Sequence, residues 1–313
     1  MPTDHRPVLV TGGNGQIAQQ LYGLLSSRGI PGRAVVRSER AAKQVAALPD
    51  GVRPEIEILD YRDTAALTKA ATGCRAIVHL VGILKEGADT KYPDAHENTC
   101  TAVAAAAAEM KLDRIVYLSI FGSRPDASNA CLASKGRAEA ILQNSGVATT
   151  VLRVPMVVGP DDPASRALRG QATKTLIPLI GGGHTIQQPL DIQDLLAALV
   201  ASVEDVSPSS HSLDFGGPEA LPHRELVARA GALYGTKMRF LTIPVAVMQG
   251  LATIFELTQK NPAITRAMLG VLQHDDRIDN SAAIEALGVT LSPLQTTLDR
   301  YIGPNARTEF TNN

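Results

Sequence analysis

The sequence predicts an α/β protein: a doubly wound parallel sheet with helices on both faces, plus a smaller, mostly C-terminal region. Three observations lead there. Apolar runs of strand length alternate with helical patterns through the first half of the chain, the signature of strand–helix–strand units. The first run, residues 8–10, leads at once into a glycine turn and a helix start, with the spacing Gly12-x-x-Gly15-x-x-Ala18. Finally, 313 residues with 44% hydrophobic and 19% charged content supply ample core.

Taken in order, strand, tight turn and helix start form a phosphate-binding corner. Small residues admit a pyrophosphate close to the backbone, and the helix N-terminus offers unpaired N–H groups and partial positive charge. The spacing differs from the commoner Gly-x-Gly-x-x-Gly fingerprint. A helix is expected over 17–28, ended by Gly29, then a strand over 33–37. Its last residue would face the adenine ribose, where an acidic side chain holds both ribose hydroxyls and repels a 2′-phosphate. Here it is Arg37, followed by Ser38, Arg40 and Lys43. A guanidinium fork suits a phosphate, so NADP(H) is preferred over NAD(H). Arg40 and Lys43 read equally as a solvated helix start.

The third strand, 54–60, ends at Asp60 with Tyr61 beside it, placed for the adenine edge. Asp60 or Asp63 also serves as a cap for a helix over 64–71. The strand over 76–82 ends at Gly82, which again allows close backbone approach. Inside it, His79 reads as a satisfied core histidine. Residues 83–97 read as irregular, and 99–110 as an alanine-rich helix of high propensity. The strand over 114–119 ends at Ser119, the helix over 130–142 carries Lys135, and 149–154 is a sixth strand.

The second half is less regular. A strand over 176–180 precedes three glycines, Asp194 caps a helix to about 203, and 212–215 is a further strand. Residues 223–234 read as a helix. The apolar stretch 242–257 is broken by Pro244, Gln249, Gly250 and Glu256, so it does not read as a membrane span. It reads as amphipathic, packed on the main domain or, in a sharper reading, covering an apolar substrate or touching a membrane surface. The tail from Asn305 reads as loose. The net charge of −1 gives no support to nucleic-acid binding. Cys74, Cys100 and Cys131 suggest neither a disulfide framework nor a metal site. With a short polar N-terminus, they point to a cytoplasmic protein, with peripheral membrane contact left open.

The motifs resemble the extended and atypical short-chain dehydrogenase/reductases. Thr11-Gly-Gly-Asn-Gly15 is similar to their nucleotide motif, with Ala18 in place of the last glycine. Asn98 resembles the asparagine that opens their fourth helix. The stretch from Leu152 to Pro160, which holds Pro155, resembles their loop near the nicotinamide. One branch is closer still, that of the nucleotide-binding accessory subunit of respiratory complex I. It is matched by Val78-His-Leu-Val-Gly-Ile-Leu84, Pro178-Leu-Ile-Gly-Gly-Gly183, Gln188-Pro189, Asp191-x-x-Asp194 and the segment 272–288 with Asp275, Asp276 and Asn280. The resemblance implies a Rossmann-type dinucleotide-binding core over 1–160 and a substrate or partner region over 161–313, with 185–215 returning to the core. The expected cofactor residues are Thr11, Gly12, Asn14, Gly15, Gln16, Ile17, Arg37, Asp60, Tyr61, Leu80, Val81, Gly82, Lys135 and Pro155.

The resemblance also implies chemistry. Such enzymes place a tyrosine four residues before a lysine; the lysine lowers the tyrosine pKa and holds the nicotinamide ribose. Here Lys135 is present, but Cys131 stands at the tyrosine position. A thiol is a weak donor on a short side chain, either partly ionised beside Lys135 or a space-filling helix residue. Ser119 and Ser123 both qualify to orient a substrate oxygen. Two functions follow: an oxidoreductase of non-standard site, using Lys135, Ser119 and Cys131 on a quinone-like or other hydrophobic carbonyl compound, or a catalytically weak NADPH-binding module acting through a protein partner. A nucleotide-sugar epimerase or dehydratase relative is the third alternative.

Overall fold

The computed structural model describes residues 5–160 and 162–306. The chain divides into two compact units: Met1–Arg153 with Leu196–Leu213, and Val154–Leu195 with Asp214–Asn313.

The first unit carries the main sheet. Its strands are β1 (Val8–Thr11), β2 (Gly32–Val36), β3 (Glu55–Ile58), β4 (Ala76–His79), β5 (Arg114–Ile120) and β6 (Thr149–Val154), joined by an edge strand His211–Asp214. The order across the sheet is β3-β2-β1-β4-β5-β6 and then the edge strand. β1 pairs in parallel with β2 and β4, β2 with β3, and β4 with β5. Strand order reverses between β1 and β4, which opens a crevice at their C-terminal ends. β1 and β4 are buried along their whole length, because a parallel strand covered on both faces must be apolar on both.

The helices are α1 (Gln16–Ser27), α2 (Glu39–Ala46), α3 (Thr64–Ala70), α4 (Thr99–Glu109) and α5 (Ala130–Gln143). Their starts are set locally. Ser38 caps α2, Asp63 caps α3 and Asn129 caps α5 through side-chain oxygens. α4 buries Cys100, Ala102, Val103, Ala106 and Ala107. Those small side chains let it lie between α3 and α5. Sheet residues Leu9, Val35, Ile77, Ile115 and Val151 share that core. The stretch 83–97, expected to be irregular, ends in a π-helical turn, Pro93–Asn98, that runs directly into α4.

The segment Leu196–Leu213 is fastened to the sheet by a buried cation. Arg114, fully buried at the start of β5, donates to Thr150 Oγ1 at 2.9 Å and to the Asp205 carbonyl at 3.0 Å. It pairs with the Asp205 carboxylate at 3.0 Å and also reaches the Ser207 carbonyl.

The second unit is built from short strand pairs and helices. Leu176–Ile180 pairs in parallel with Arg239–Ile243, and Val157–Val158 with Leu190–Asp191. Polar clasps hold its loops. Asp191, buried, accepts from Thr297 Oγ1 at 2.9 Å and Arg300 at 3.3 Å. Gln188 exchanges hydrogen bonds with the Ile278 backbone and reaches the Gly217 carbonyl, while Asn280 binds Gly216 N–H and the Gly217 carbonyl. Several residues singled out in the sequence therefore have structural work here. Asp194 does not cap the helix Ile192–Glu204; that role falls to Asp191, which accepts from the Gln193 N–H at 2.8 Å. Asp194 instead accepts from the N–H and hydroxyl of Ser292. The apolar stretch 242–257 is the end of a strand followed by the helix Val245–Thr258, and that helix buries only Ala252 rather than a whole apolar face. The loose tail expected from Asn305 lies, beyond residue 306, outside the described residues.

Candidate functional site

A groove of about 630 Å³ lies in the first unit at the C-terminal ends of β1 to β4, where strand order reverses. Gly12, Asn14, Gly15, Arg37, Ser38, Ala41, Asp60, Tyr61, Leu80, Val81 and Gly82 line it. Each wall has a local cause.

Gly12 turns the chain out of β1 at φ +76°, a left-handed conformation that favours glycine. Gly15 then stands at the N-cap of α1 without any side-chain cap. Gly15 has no side chain with which to cap the first-turn N–H groups of that helix. Gln16 and Ile17 sit in this first turn. Arg37 follows β2, exposed, its guanidinium 5.5 Å from the centre of the Tyr61 ring. Ser38 Oγ accepts from the Ala41 N–H at 3.3 Å. The start of α2 thus faces the groove beside Arg37. Asp60 is gripped by Arg62 through two side-chain bonds and one backbone bond. Those bonds hold its carboxyl at about 2.

The backbone at the end of β4 is the second close approach. A Cβ added at Gly82 would fall 2.9 Å from Lys135 Nζ. Lys135 is buried, donates to the Leu118 carbonyl at 3.0 Å and lies 4.4 Å from the centre of the Tyr117 ring. Burial pulls its pKa down from the ordinary lysine value. Beneath it is a layer of neutral histidines. His79 shares its ring nitrogens with Thr11 Oγ1 at 2.6 Å and Thr99 Oγ1 at 3.2 Å. His96 accepts from the Ile83 N–H at 3.1 Å and meets Ser134 Oγ at 3.3 Å. Burial first, and then Lys135, depress both imidazoles to about 3.

The structure revises several sequence expectations. Thr11 does not line the groove; its hydroxyl is turned inward to His79. The Tyr61 hydroxyl donates to the Val35 carbonyl at 3.3 Å, and its ring lines the groove beneath Arg37. Ser119 is buried and its hydroxyl bonds to Glu139, which is itself paired with Arg153 at 2.7 Å. The Ser123 hydroxyl is buried without a hydrogen-bond partner among the described residues. Cys131 is not a thiolate: burial, outweighing Lys135, pushes its thiol up to about 11, and Sγ contacts the Ile83 carbonyl at 3.5 Å. Pro155 follows β6 and belongs to the second unit. Sequence reasoning missed Ala41 as a lining residue. The signal was present in Ser38, a capping residue directly after the strand, which marks a helix N-terminus at the ribose end of the crevice.

These residues fit a dinucleotide. The uncapped α1 terminus, the glycine turn and the backbone of Leu80–Gly82 line a cradle of exposed main chain. Among the described residues, no cluster of His, Cys, Asp or Glu could hold a metal ion, and no helix is long and apolar enough to cross a membrane.

Comparison with known proteins agrees. Residues 12–183 match a family described as NAD(P)H-binding. The chain is 25% identical over 242 residues to a mitochondrial NADH dehydrogenase [ubiquinone] 1 alpha subcomplex subunit 9 of Arabidopsis thaliana, covering 75% of this chain and 59% of the relative. It is 32% identical over 175 residues to the 4-hydroxy-2-methyl-3-oxo-4-farnesyl-3,4-dihydroquinoline-1-oxide ketoreductase of Stigmatella aurantiaca, covering 50% of this chain and 51% of the relative. The chain thus spans little more than half the length of these two relatives. Among solved structures it resembles MoeE5 in complex with UDP-glucose and NAD, at a TM-score of 0.72 and 18% identity, over 95% of this chain and 97% of that one. That likeness speaks to the fold. With a seven-stranded Rossmann-type sheet, a glycine turn at its switch point and a family match over more than half its length, the chain belongs to the NAD(P)H-binding family, as a short-chain dehydrogenase/reductase-like member related to complex I subunits and ketoreductases.

Proposed function

We propose that this chain is an NADP(H)-dependent reductase of a hydrophobic, quinone-like or other carbonyl compound, working without the tyrosine of the Tyr-x-x-x-Lys pair. The observation that carries the cofactor preference is Arg37. It stands exposed in the groove over Tyr61, beside Ser38 and the N-terminus of α2. A 2′-phosphate there would meet a guanidinium, a hydroxyl and helix N–H groups together. The substrate class is supported by the Stigmatella relative, whose name gives a farnesylated ketone as its substrate.

Bound NADPH would supply a hydride to the carbonyl carbon. The α1 terminus and the Gly12–Gly15 turn would hold the pyrophosphate, and Leu80–Gly82 would lie along the cofactor. Lys135 would hold the ribose hydroxyls from beneath Gly82. A bound water would supply the proton for the resulting alkoxide oxygen, since the Cys131 thiol is buried against the Ile83 carbonyl and the Ser119 hydroxyl is bonded to Glu139.

Arg37→Asp is expected to weaken NADPH binding by about tenfold or more, the value of a charge-assisted hydrogen bond, and to leave NADH binding little changed. Thermal melts with each nucleotide read this directly, because a ligand of the native state raises stability. Equal shifts for both nucleotides in the parent protein would remove Arg37 as a selector. Cys131→Ala is expected to leave NADPH oxidation by hydrophobic quinones and ketones within about twofold of the parent, since the thiol is a weak donor, faces the Ile83 carbonyl and does not line the groove. A large loss in rate with the melt unchanged would restore the thiol to the chemistry. Tight NADPH binding with no turnover of any such acceptor would favour an NADPH-binding module acting through a protein partner, a reading supported by the Arabidopsis relative's name as a subunit of a larger complex.

A further inference from the structure

The second unit carries an aliphatic surface that its own packing does not cover. Leu176 and Leu241 stand exposed on the paired strands Leu176–Ile180 and Arg239–Ile243, and Leu176 is 57% exposed. Register places Leu176 opposite Arg239 and Pro178 opposite Leu241, so alternate residues 176, 178, 239 and 241 share one face. The chain then passes Pro244 into the helix Val245–Thr258. Val247, Leu251, Ile254 and Leu257 are exposed on it, Val247 at 58% and Leu257 at 82%. Their spacing of three and four residues puts them along one side of the helix. Single exposed leucines need no explanation, but a run of them on adjoining elements does.

The charge around this surface identifies its partner. Residues 235–274 contain the basic Lys237, Arg239, Lys260 and Arg266 and a single acid, Glu256. Glu256 is neutralised by Arg266 at 2.7 Å. Asp275, Asp276 and Asp279, which follow with Arg277, are engaged by the Ile186 N–H, His274 and the Ser281 N–H, so the positive excess lies at Lys237, Arg239 and Lys260. The basic residues lie before and after the apolar helix, where long side chains can keep their charges in water while their stems cover apolar surface. Protein–protein interfaces are enriched in Tyr, Trp and Arg and depleted in Lys. This chain has no Trp, and the face is Leu, Ile and Val with Arg239 among them and Lys237 and Lys260 in the flanking segments. The helix itself carries no Lys or Arg, so its apolar side would enter a lipid interface while the cations of the flanking segments meet anionic headgroups.

We propose that the face formed by Leu176, Leu241 and the helix Val245–Thr258 binds the surface of an anionic lipid bilayer, with the helix in the interfacial plane. The proposal stands independently of the redox reading.

Co-flotation of the full chain with phosphatidylcholine vesicles, and with the same vesicles containing phosphatidylglycerol, tests it. Flotation is expected with the anionic vesicles and is expected to weaken as salt is raised. Lys260→Gln is expected to reduce binding by about fivefold, the effect of one basic residue at an anionic surface. Ile254→Gln with Leu257→Gln is expected to abolish flotation while leaving the thermal melt unchanged, because both side chains are exposed. Failure to float with either vesicle, or flotation indifferent to the Ile254/Leu257 pair, would overturn the proposal. So would a dimer in light scattering that the same pair dissolves in the absence of lipid, since a second copy would then cover the face.

Discussion

Gly82→Ala is expected to weaken NADPH binding by about tenfold or more, and to do so through Lys135. The added methyl would lie 2.9 Å from Lys135 Nζ and 3.1 Å from Cε, so the amine must move. It is held by the Leu118 carbonyl and the Tyr117 ring face, and displacing it from a charge-assisted bond costs on the order of 1.5–3 kcal/mol. Two measurements are needed. Denaturant unfolding should show a loss of about 1–3 kcal/mol, the usual range for overpacking a filled site. The NADPH-induced rise in melting temperature should shrink as well. A stability loss with the NADPH effect intact would mean that Lys135 is structural and takes no part in holding the cofactor. Lys135→Met in parallel separates the amine from the packing.

Acid lability is the second large expectation. His79 and His96 are neutral in the fold, with pKa values of about 3, against about 6.5 when unfolded. Above pH 6.5 both states are neutral and full stability is present. As pH falls from 6.5 towards 3, the unfolded chain takes up protons that the native imidazoles refuse, so stability is lost throughout that window. At pH 4.5 each histidine would account for about 2–3 kcal/mol. The depressed Asp60 acts in the same direction but only below the ordinary aspartate range, and its carboxylate is half exposed, so its share is small. Urea midpoints across pH 7.5 to 4.5 should fall steadily, and the His79 and His96 imidazole NMR signals of the native protein should not titrate over the same range. A midpoint independent of pH would rule out buried neutral histidines at these positions.

The two expectations share a cause. Lys135 helps to depress both imidazoles, and burial holds down its own pKa as well. This layer beneath the groove combines Thr11, His79, Thr99, His96 and Ser134, which come from β1, β4, the π turn, α4 and α5. Its members are widely separated in sequence. Only His79 could be read from the sequence alone, as a core histidine within an apolar run.

The sequence by itself determined the α/β class, the strand–helix alternation and the turn at Gly12–Gly15. Those follow from local periodicity and from residues whose backbone preferences do not depend on distant neighbours. It also picked out most of the groove, because in a parallel sheet the residue ending each strand must lie at the same edge. Arg37, Asp60 and Gly82 were legible for that reason. Tertiary structure alone decided what the side chains at those positions are free to do. Ser119 ends a strand as expected, yet Glu139 claims its hydroxyl. Cys131 lies one helical turn before Lys135, yet burial keeps it protonated. The helix Val245–Thr258 is apolar in sequence, yet its packing leaves most of that surface bare. Hydrogen-bond partners, desolvation and the covering of an apolar face are all set by residues far away along the chain, and no local pattern encodes them.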